Sequence, residues 1–162
     1  MKRVLFFLLI CPFFATAQDT CGIKRDRDPY TKEVRLSTGF ISVGNFKVSI
    51  DAVTKEIDFF FMLDGSKCFN DQSQLVVNFE GSRVKQTYRS SGTMNCEGYF
   101  HIAFRNTPGT SYSLQKLATL RVSSFVFKKD NEETMVMLTA DQKVLFQRAV
   151  ACIIAQSKTL LP

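Results

Sequence analysis

The chain has 162 residues, 45% of them hydrophobic and 22% charged, and a formal net charge of +6. That is enough chain for one ordinary domain with a sizeable core. The mild positive balance favours solubility and weak attraction to anionic surfaces; it lacks the signature of nucleic-acid binding, so no nucleic-acid partner is expected.

Residues 1–17 read as a cleavable secretory leader. Met1-Lys2-Arg3 supplies a positive start, residues 4–14 form an unbroken apolar run, and Ala15-Thr16-Ala17 places small residues at the −3 and −1 positions of a signal-peptidase site. The run spans 11 residues, short of the roughly 20 that cross a bilayer as a helix. No later stretch is long and apolar enough to span a membrane. A lipid anchor would need a cysteine after a small residue, whereas Cys11 follows Ile10 and Cys21 follows Thr20. The expectation is an exported protein, periplasmic or extracellular after cleavage following Ala17, with a single globular β-rich domain over residues 18–162. Loss of Lys2 and Arg3 lowers its charge to +4.

Cys11 leaves with the leader, and Cys21, Cys68, Cys96 and Cys152 remain, an even set in an oxidising compartment. Two disulfides are expected, with three possible pairings. A local register argument chooses among them. Residues 74–80 and 83–90 read as strands around Gly81-Ser82, and glycine at the first central position suits a tight hairpin turn. Phe79 then faces Val84, Val77 faces Gln86 and Leu75 faces Tyr88, and extending the ladder brings Cys68 opposite Asn95, next to Cys96. The predicted pairs are Cys68–Cys96 and Cys21–Cys152. The alternative, a four-cysteine metal site, takes its ligands in closely spaced pairs that this sequence lacks, so no metal is expected.

In chain order, residues 21–32 are charged and irregular, with Asp28-Pro29 marking a turn. Strand signals then follow almost without a break. Residues 34–43 and 46–51 flank the hairpin dipeptide Gly44-Asn45, placing Val43 opposite Phe46 and Ile41 opposite Val48. Residues 56–63 end at Asp64-Gly65, and Phe59 to Leu63 are apolar at every position, which suits a strand covered on both faces. After the Gly81-Ser82 hairpin, a loop rich in Ser, Gly and Asn leads to a strand over 99–105. A loop over 106–111 and one helical turn over 113–118 follow.

A last hairpin joins 120–128 to 134–139 around Asp130 to Glu133, with Phe125-Val126-Phe127 and Met135-Val136-Met137-Leu138 apolar on both faces. The expected cover is a helix over 140–156. Thr139 to Gln142 matches a capping box, and Leu145, Phe146, Ala149, Val150, Ile153 and Ile154 recur at helical spacing, with Cys152 at the edge of the stripe. The fold class expected is α+β, mainly β: an antiparallel sheet or β-sandwich of about seven to eight strands with one C-terminal covering helix.

His101 is the only histidine. Alternation along 99–105 puts it on the polar face with Tyr99, Ala103 and Arg105, away from Phe100, Ile102 and Phe104. The simpler reading is a strand histidine turned to solvent; the sharper one is a general base beside Tyr99 and Arg105. No nucleophile sits in a setting such as Gly-x-Ser-x-Gly, so no catalytic residue is assigned. One histidine and scattered acids do not make a hydrolytic metal centre, and Asp64-Gly65 and Asp130 to Glu133 lack the ligand alternation of a calcium loop. Without a glycine-rich phosphate loop or dinucleotide fingerprint, no cofactor is expected.

Arg83, Lys85 and Arg89 alternate on the outer face of the predicted hairpin. Such a stripe suits an anionic glycan, a lipid headgroup or a phosphate. Glu80, expected opposite Arg83, partly neutralises it, and edge strands also carry such charges to block aggregation. Twelve of the sixteen phenylalanines remain beyond the leader, and there is no tryptophan. Phenylalanine fills cores, whereas sugar platforms favour Trp and Tyr, and only Tyr30, Tyr88, Tyr99 and Tyr112 are available.

Cys68 before a hairpin, Asn95-Cys96-Glu97-Gly98 before a strand, Leu114-x-x-Leu117-Ala118-Thr119 before another and a closing helix carrying Cys152 resemble small exported proteins of Bacteroidetes, over roughly residues 28–154. The resemblance implies an envelope or periplasmic β-rich domain and brings no catalytic residues with it. The expected function is a non-enzymatic binding or interaction domain whose partner is an envelope protein or an anionic glycan or lipid surface. The alternative is a small periplasmic hydrolase using His101.

Overall fold

The computed structural model describes residues 21–65 and 67–162; the predicted leader over 1–17 and its cleavage site lie outside the described residues. Ten strands are found among them: β1 (Lys24–Arg27), β2 (Val34–Ser37), β3 (Ile41–Val43), β4 (Phe46–Ala52), β5 (Glu56–Leu63), β6 (Gln74–Phe79), β7 (Lys85–Arg89), β8 (Tyr99–Arg105), β9 (Val122–Lys129) and β10 (Glu132–Met137). Helix α1 (Tyr112–Thr119) lies between β8 and β9, and α2 (Ala140–Ser157) runs into a 3₁₀ turn at Lys158–Leu160. All strand pairs are antiparallel. One sheet has the order β1-β2-β4-β5-β8, with β3 also paired to β4, and the other has the order β10-β9-β6-β7. The fold is thus α+β, mainly β.

The strand count exceeds the expected seven to eight for two local reasons. Residues 24–27 have no apolar side to betray them, yet they pair with β2 residue by residue while staying fully exposed. The expected strand over 34–43 is two short strands that share one edge of β4: Leu36 and Ser37 pair with Ala52 and Asp51, and Ile41 to Val43 pair with Val48 to Phe46. Thr38 breaks the run, its amide donating to the Ile50 carbonyl and its hydroxyl accepting from the Ile50 amide. The expected register around Gly44-Asn45 is present.

Alternation sends one face of each sheet inward, and phenylalanines supply its bulkiest side chains. The Phe46 and Phe61 rings each lie 5.5–5.7 Å from both Phe125 and Phe127 on the opposite sheet. Phe59, Phe61, Phe100, Phe125, Phe127 and Phe146 are all fully buried. Each such side chain contributes about 2–3 kcal/mol by leaving water.

Helix α2 starts at the expected capping box, in which the Thr139 hydroxyl accepts from the Gln142 amide and the Gln142 side chain accepts from the Thr139 amide. It covers β9 of the last hairpin, as expected, and reaches further, onto the other sheet. It packs on β2, β3, β4 and β9, and Phe146 wedges between Phe59 of one sheet and Phe125 of the other. The helix therefore closes the space between the sheets, and the outer face of β10 is left to solvent, with Met135 and Met137 61% and 63% exposed. The expected single turn over 113–118 is the longer α1, capped by Ser111 and burying Leu114 and Leu117.

Both predicted disulfides are present, Cys21–Cys152 and Cys68–Cys96. The first ties the start of the described chain to α2. The second sits beside a two-way backbone bridge between Phe69 and Asn95, one residue from the predicted Cys68–Asn95 apposition. Among the described residues, no helix is long and apolar enough to cross a membrane.

Candidate functional site

The outer face of β5 carries Glu56, Asp58, Phe60 and Met62, because side chains alternate along a strand and Ile57, Phe59, Phe61 and Leu63 occupy the core. This corrects the expectation of a strand covered on both faces: Phe60 and Met62 are half-buried. Antiparallel pairing sets β8 beside it, with Phe60 opposite His101, Asp58 opposite Ala103 and Glu56 opposite Arg105. The imidazole of His101 leans diagonally to Asp58, with Nδ1 3.1 Å from Oδ2, and its ring packs on Phe60 at 4.7 Å between centroids. Phe60 also meets Tyr99 at 5.2 Å and the exposed Phe40 at 6.1 Å. The result is an acid–imidazole pair at the end of a short aromatic strip.

A hollow of about 450 Å³ opens over this pair, lined by Glu56, Asp58, Tyr99 and His101 on the strands and by Ser91, Thr93 and Asn95 from the loop before β8. The backbone holds that loop in place: the Ser91 amide donates to the His101 carbonyl at 2.9 Å. An adjoining hollow of about 230 Å³ shares Glu56 and Asp58 and contains Arg35 and Asp51. There the Arg35 guanidinium donates to Asp51 at 2.6 Å, and that hydrogen bond holds the arginine above its ordinary pKa. Among the described residues, no lysine or arginine lines the larger hollow.

Chemically, an ionised carboxylate only accepts hydrogen bonds, so a neutral imidazole that keeps the contact to Asp58 carries its proton on Nδ1 and presents Nε2 as an acceptor. That is the arrangement of a general base or of a directional binding group. The Ser91 and Thr93 hydroxyls line the hollow, but neither is hydrogen-bonded to the imidazole. Among the described residues, no group of three or more His, Cys, Asp or Glu side chains is placed to hold a metal ion.

The predicted site residues are thus divided. Tyr99 and His101 come together at the hollow, whereas Arg105 shares their face of β8 beyond its lining. Lys85 and Arg89 lie exposed on β7, an edge of the other sheet, and Arg83 precedes that strand. Within the β6–β7 ladder the predicted register holds, from Gln74–Arg89 to Asn78–Lys85. The tight Gly81-Ser82 turn does not form: the ladder ends at Asn78–Lys85, the Ser82 amide donates back to the Phe79 carbonyl, and the Glu80 amide donates to the Arg121 carbonyl. Glu80 consequently binds Lys143 at 2.7 Å and Arg121 at 3.8 Å in place of the expected Arg83.

Sequence reasoning missed Asp58 and Glu56. Their signal was the alternation of two acids with the apolar residues of β5, which marks an outer face; what no sequence pattern supplied was that β5 pairs with β8. No family model, no curated protein and no solved structure matches the chain, so the site stands on its own geometry.

Proposed function

We propose that this chain is an exported, non-enzymatic binding domain whose ligand docks on the outer face of the larger sheet, at Asp58 and His101. The observation that carries this reading is the hydrogen-bonded Asp58–His101 pair set in an open hollow beside Phe60 and Tyr99. Two carboxylates, an imidazole acceptor and hydroxyls favour a ligand rich in hydrogen-bond donors, and the rings offer an apolar contact. The same lining disfavours phosphate or a carboxylate there. An anionic glycan or lipid surface belongs instead to Lys85 and Arg89 on the opposite sheet. Two disulfides support an oxidising compartment; a leader over 1–17 cleaved after Ala17, and an envelope setting like that of the Bacteroidetes proteins it resembles, belong to the same proposal.

The test uses the sole histidine as an NMR probe. Neutral oligosaccharides, short peptides and simple amines are titrated against inorganic phosphate. At least one donor-rich probe should move the His101 resonances in a saturable way, and phosphate should not. A phosphate-driven shift, or silence to every donor-rich probe, refutes the reading.

The Asp58–His101 pair specifically favours a second reading, a small hydrolase in which His101 Nε2 activates water. Turnover of activated esters that disappears in both His101→Ala and Asp58→Asn would support it. Turnover unchanged by either substitution would remove it.

A further inference from the structure

Phe69 and Asn95 exchange two backbone hydrogen bonds, at 2.8 and 2.9 Å, directly beside the Cys68–Cys96 disulfide. From that point the Asn95 side chain reaches to the first residue of β8. Its Nδ2 donates to the Tyr99 carbonyl at 2.9 Å, and its Oδ1 accepts from the Tyr99 amide at 3.1 Å. Nδ2 also donates to the Thr93 carbonyl at 3.3 Å. Thr93, Asn95 and Tyr99 all line the hollow over His101. One covalent bond therefore anchors the residue whose carboxamide organises a wall of the site.

The two disulfides differ in shelter. Cys152 is only 9% exposed, and its bond to Cys21 closes a separation of 131 residues. Cys96 is exposed, the bond closes only 28 residues, and Cys68 faces a surface depression of about 350 Å³ lined by Lys129, Asp130, Asn131 and Glu132. Thiol–disulfide exchange requires a thiolate to reach a sulfur, and the exposed Cys96 gives it that access. A shorter closed loop also constrains the unfolded chain less, so opening Cys68–Cys96 costs the fold less than opening Cys21–Cys152.

We propose that Cys68–Cys96 is a thiol-redox latch on the ligand site, opened by a dithiol reductant and closed by reoxidation. The proposal rests on the reading of the hollow as a ligand site. In the opening step a reductant thiolate attacks one cysteine sulfur, forms a mixed disulfide and expels the other cysteine as a thiolate, which takes up a proton. The second thiol of the reductant then displaces the remaining cysteine. The dithiol leaves as a disulfide, and Cys68 and Cys96 have gained two electrons and two protons. With the latch open, Asn95 is held by hydrogen bonds alone, and the Thr93–Tyr99 wall loosens.

The full oxidised chain is treated with graded dithiothreitol, which spares the need for any variant to fold. Alkylation and mass spectrometry read which cysteines open, while NMR of His101 and amide hydrogen exchange read the site. Cys68 and Cys96 should be alkylated before Cys21 and Cys152. Exchange at Asn95 and Tyr99 should then accelerate about tenfold or more, with unchanged exchange at Val48 and Phe59. The His101 resonances should move with it. Earlier opening of Cys21–Cys152, or site amides and His101 unmoved once Cys68–Cys96 is open, overturns the proposal. None of these readouts needs a ligand. If no probe shifts His101 in the oxidised chain, it is the ligand reading that falls, and the order of opening and the exchange rates still decide the latch.

Discussion

His101 Nδ1 lies 3.1 Å from Asp58 Oδ2 even though the two residues are diagonal neighbours across the β5–β8 ladder, Phe60 being the direct partner of His101. Packing of the imidazole on the Phe60 ring, at 4.7 Å, accompanies this lean. The carboxylate makes the Nδ1–H tautomer the favoured neutral form. Long-range ¹H–¹⁵N correlation of the single histidine, at a pH where it is neutral, should show that tautomer in the native chain. In Asp58→Ala the Nε2–H form, the usual one for free imidazole, should dominate. An Nε2–H tautomer in the native chain would contradict the geometry.

Phe146 is the wedge by which α2 closes the molecule. It is fully buried and meets Phe59 at 6.4 Å and Phe125 at 5.2 Å, one ring from each sheet. Phe146→Ala should cost about 3–5 kcal/mol, through lost burial and the cavity left where the helix meets both sheets. Urea unfolding measures this directly. Leu145→Ala, on a residue 49% exposed in the same helix, is the control and should cost under about 1 kcal/mol.

Gly98 sits where a side chain has no room. Its φ is +78°, and a Cβ there would come within 2.5 Å of the Leu63 carbonyl oxygen and 3.1 Å of that of Gly65. That closeness belongs to the ladder end, where the Leu63 amide donates to the Gly98 carbonyl. Gly98→Ala should destabilise the chain by about 2 kcal/mol or more, strain and clash adding together. Gly109→Ala, where nothing lies within 4 Å, should be close to neutral. Equal thermal midpoints for the two variants would refute the assignment.

The contrast between what the sequence foretold and what it hid follows from the range of each interaction. The Gly44-Asn45 turn, the β6–β7 register, the capping box at Thr139 and the Cys68–Cys96 staple depend on residues close in the chain, so spacing alone revealed them. Alternation placed His101 and Tyr99 on an outer face for the same reason. The site needed more, because Asp58 reaches His101 only once β5 pairs with β8, 43 residues apart. Strand β1 was hidden for a different cause: KRDR is charged at every position, and the hydrogen-bonded ladder to β2 makes it a strand without any burial pattern. The place of α2 was legible only in part: its contact with β9 was expected, but an apolar stripe is silent on what else covers a helix, here β2, β3 and β4.

Glu80 ties the β6–β7 connection to α2 and should leave a signature in acid. Lys143 Nζ donates to its Oε1 at 2.7 Å, and that hydrogen bond, reinforced by the charge of Lys143 and of the more distant Arg121, holds its pKa below the ordinary 4.5. Asp28 is also held low, by the backbone amides of Thr31 and Tyr30. A carboxyl lowered by folding binds fewer protons in the native state than in the unfolded one. Its stabilisation is therefore complete above the unfolded value and disappears as pH falls through the folded one. The urea midpoint should accordingly decline on acidification through the carboxylate range, and in Lys143→Met the decline should be shallower, because Glu80 has lost its main partner. Two parallel pH profiles would mean that the Lys143–Glu80 pair adds nothing to folding.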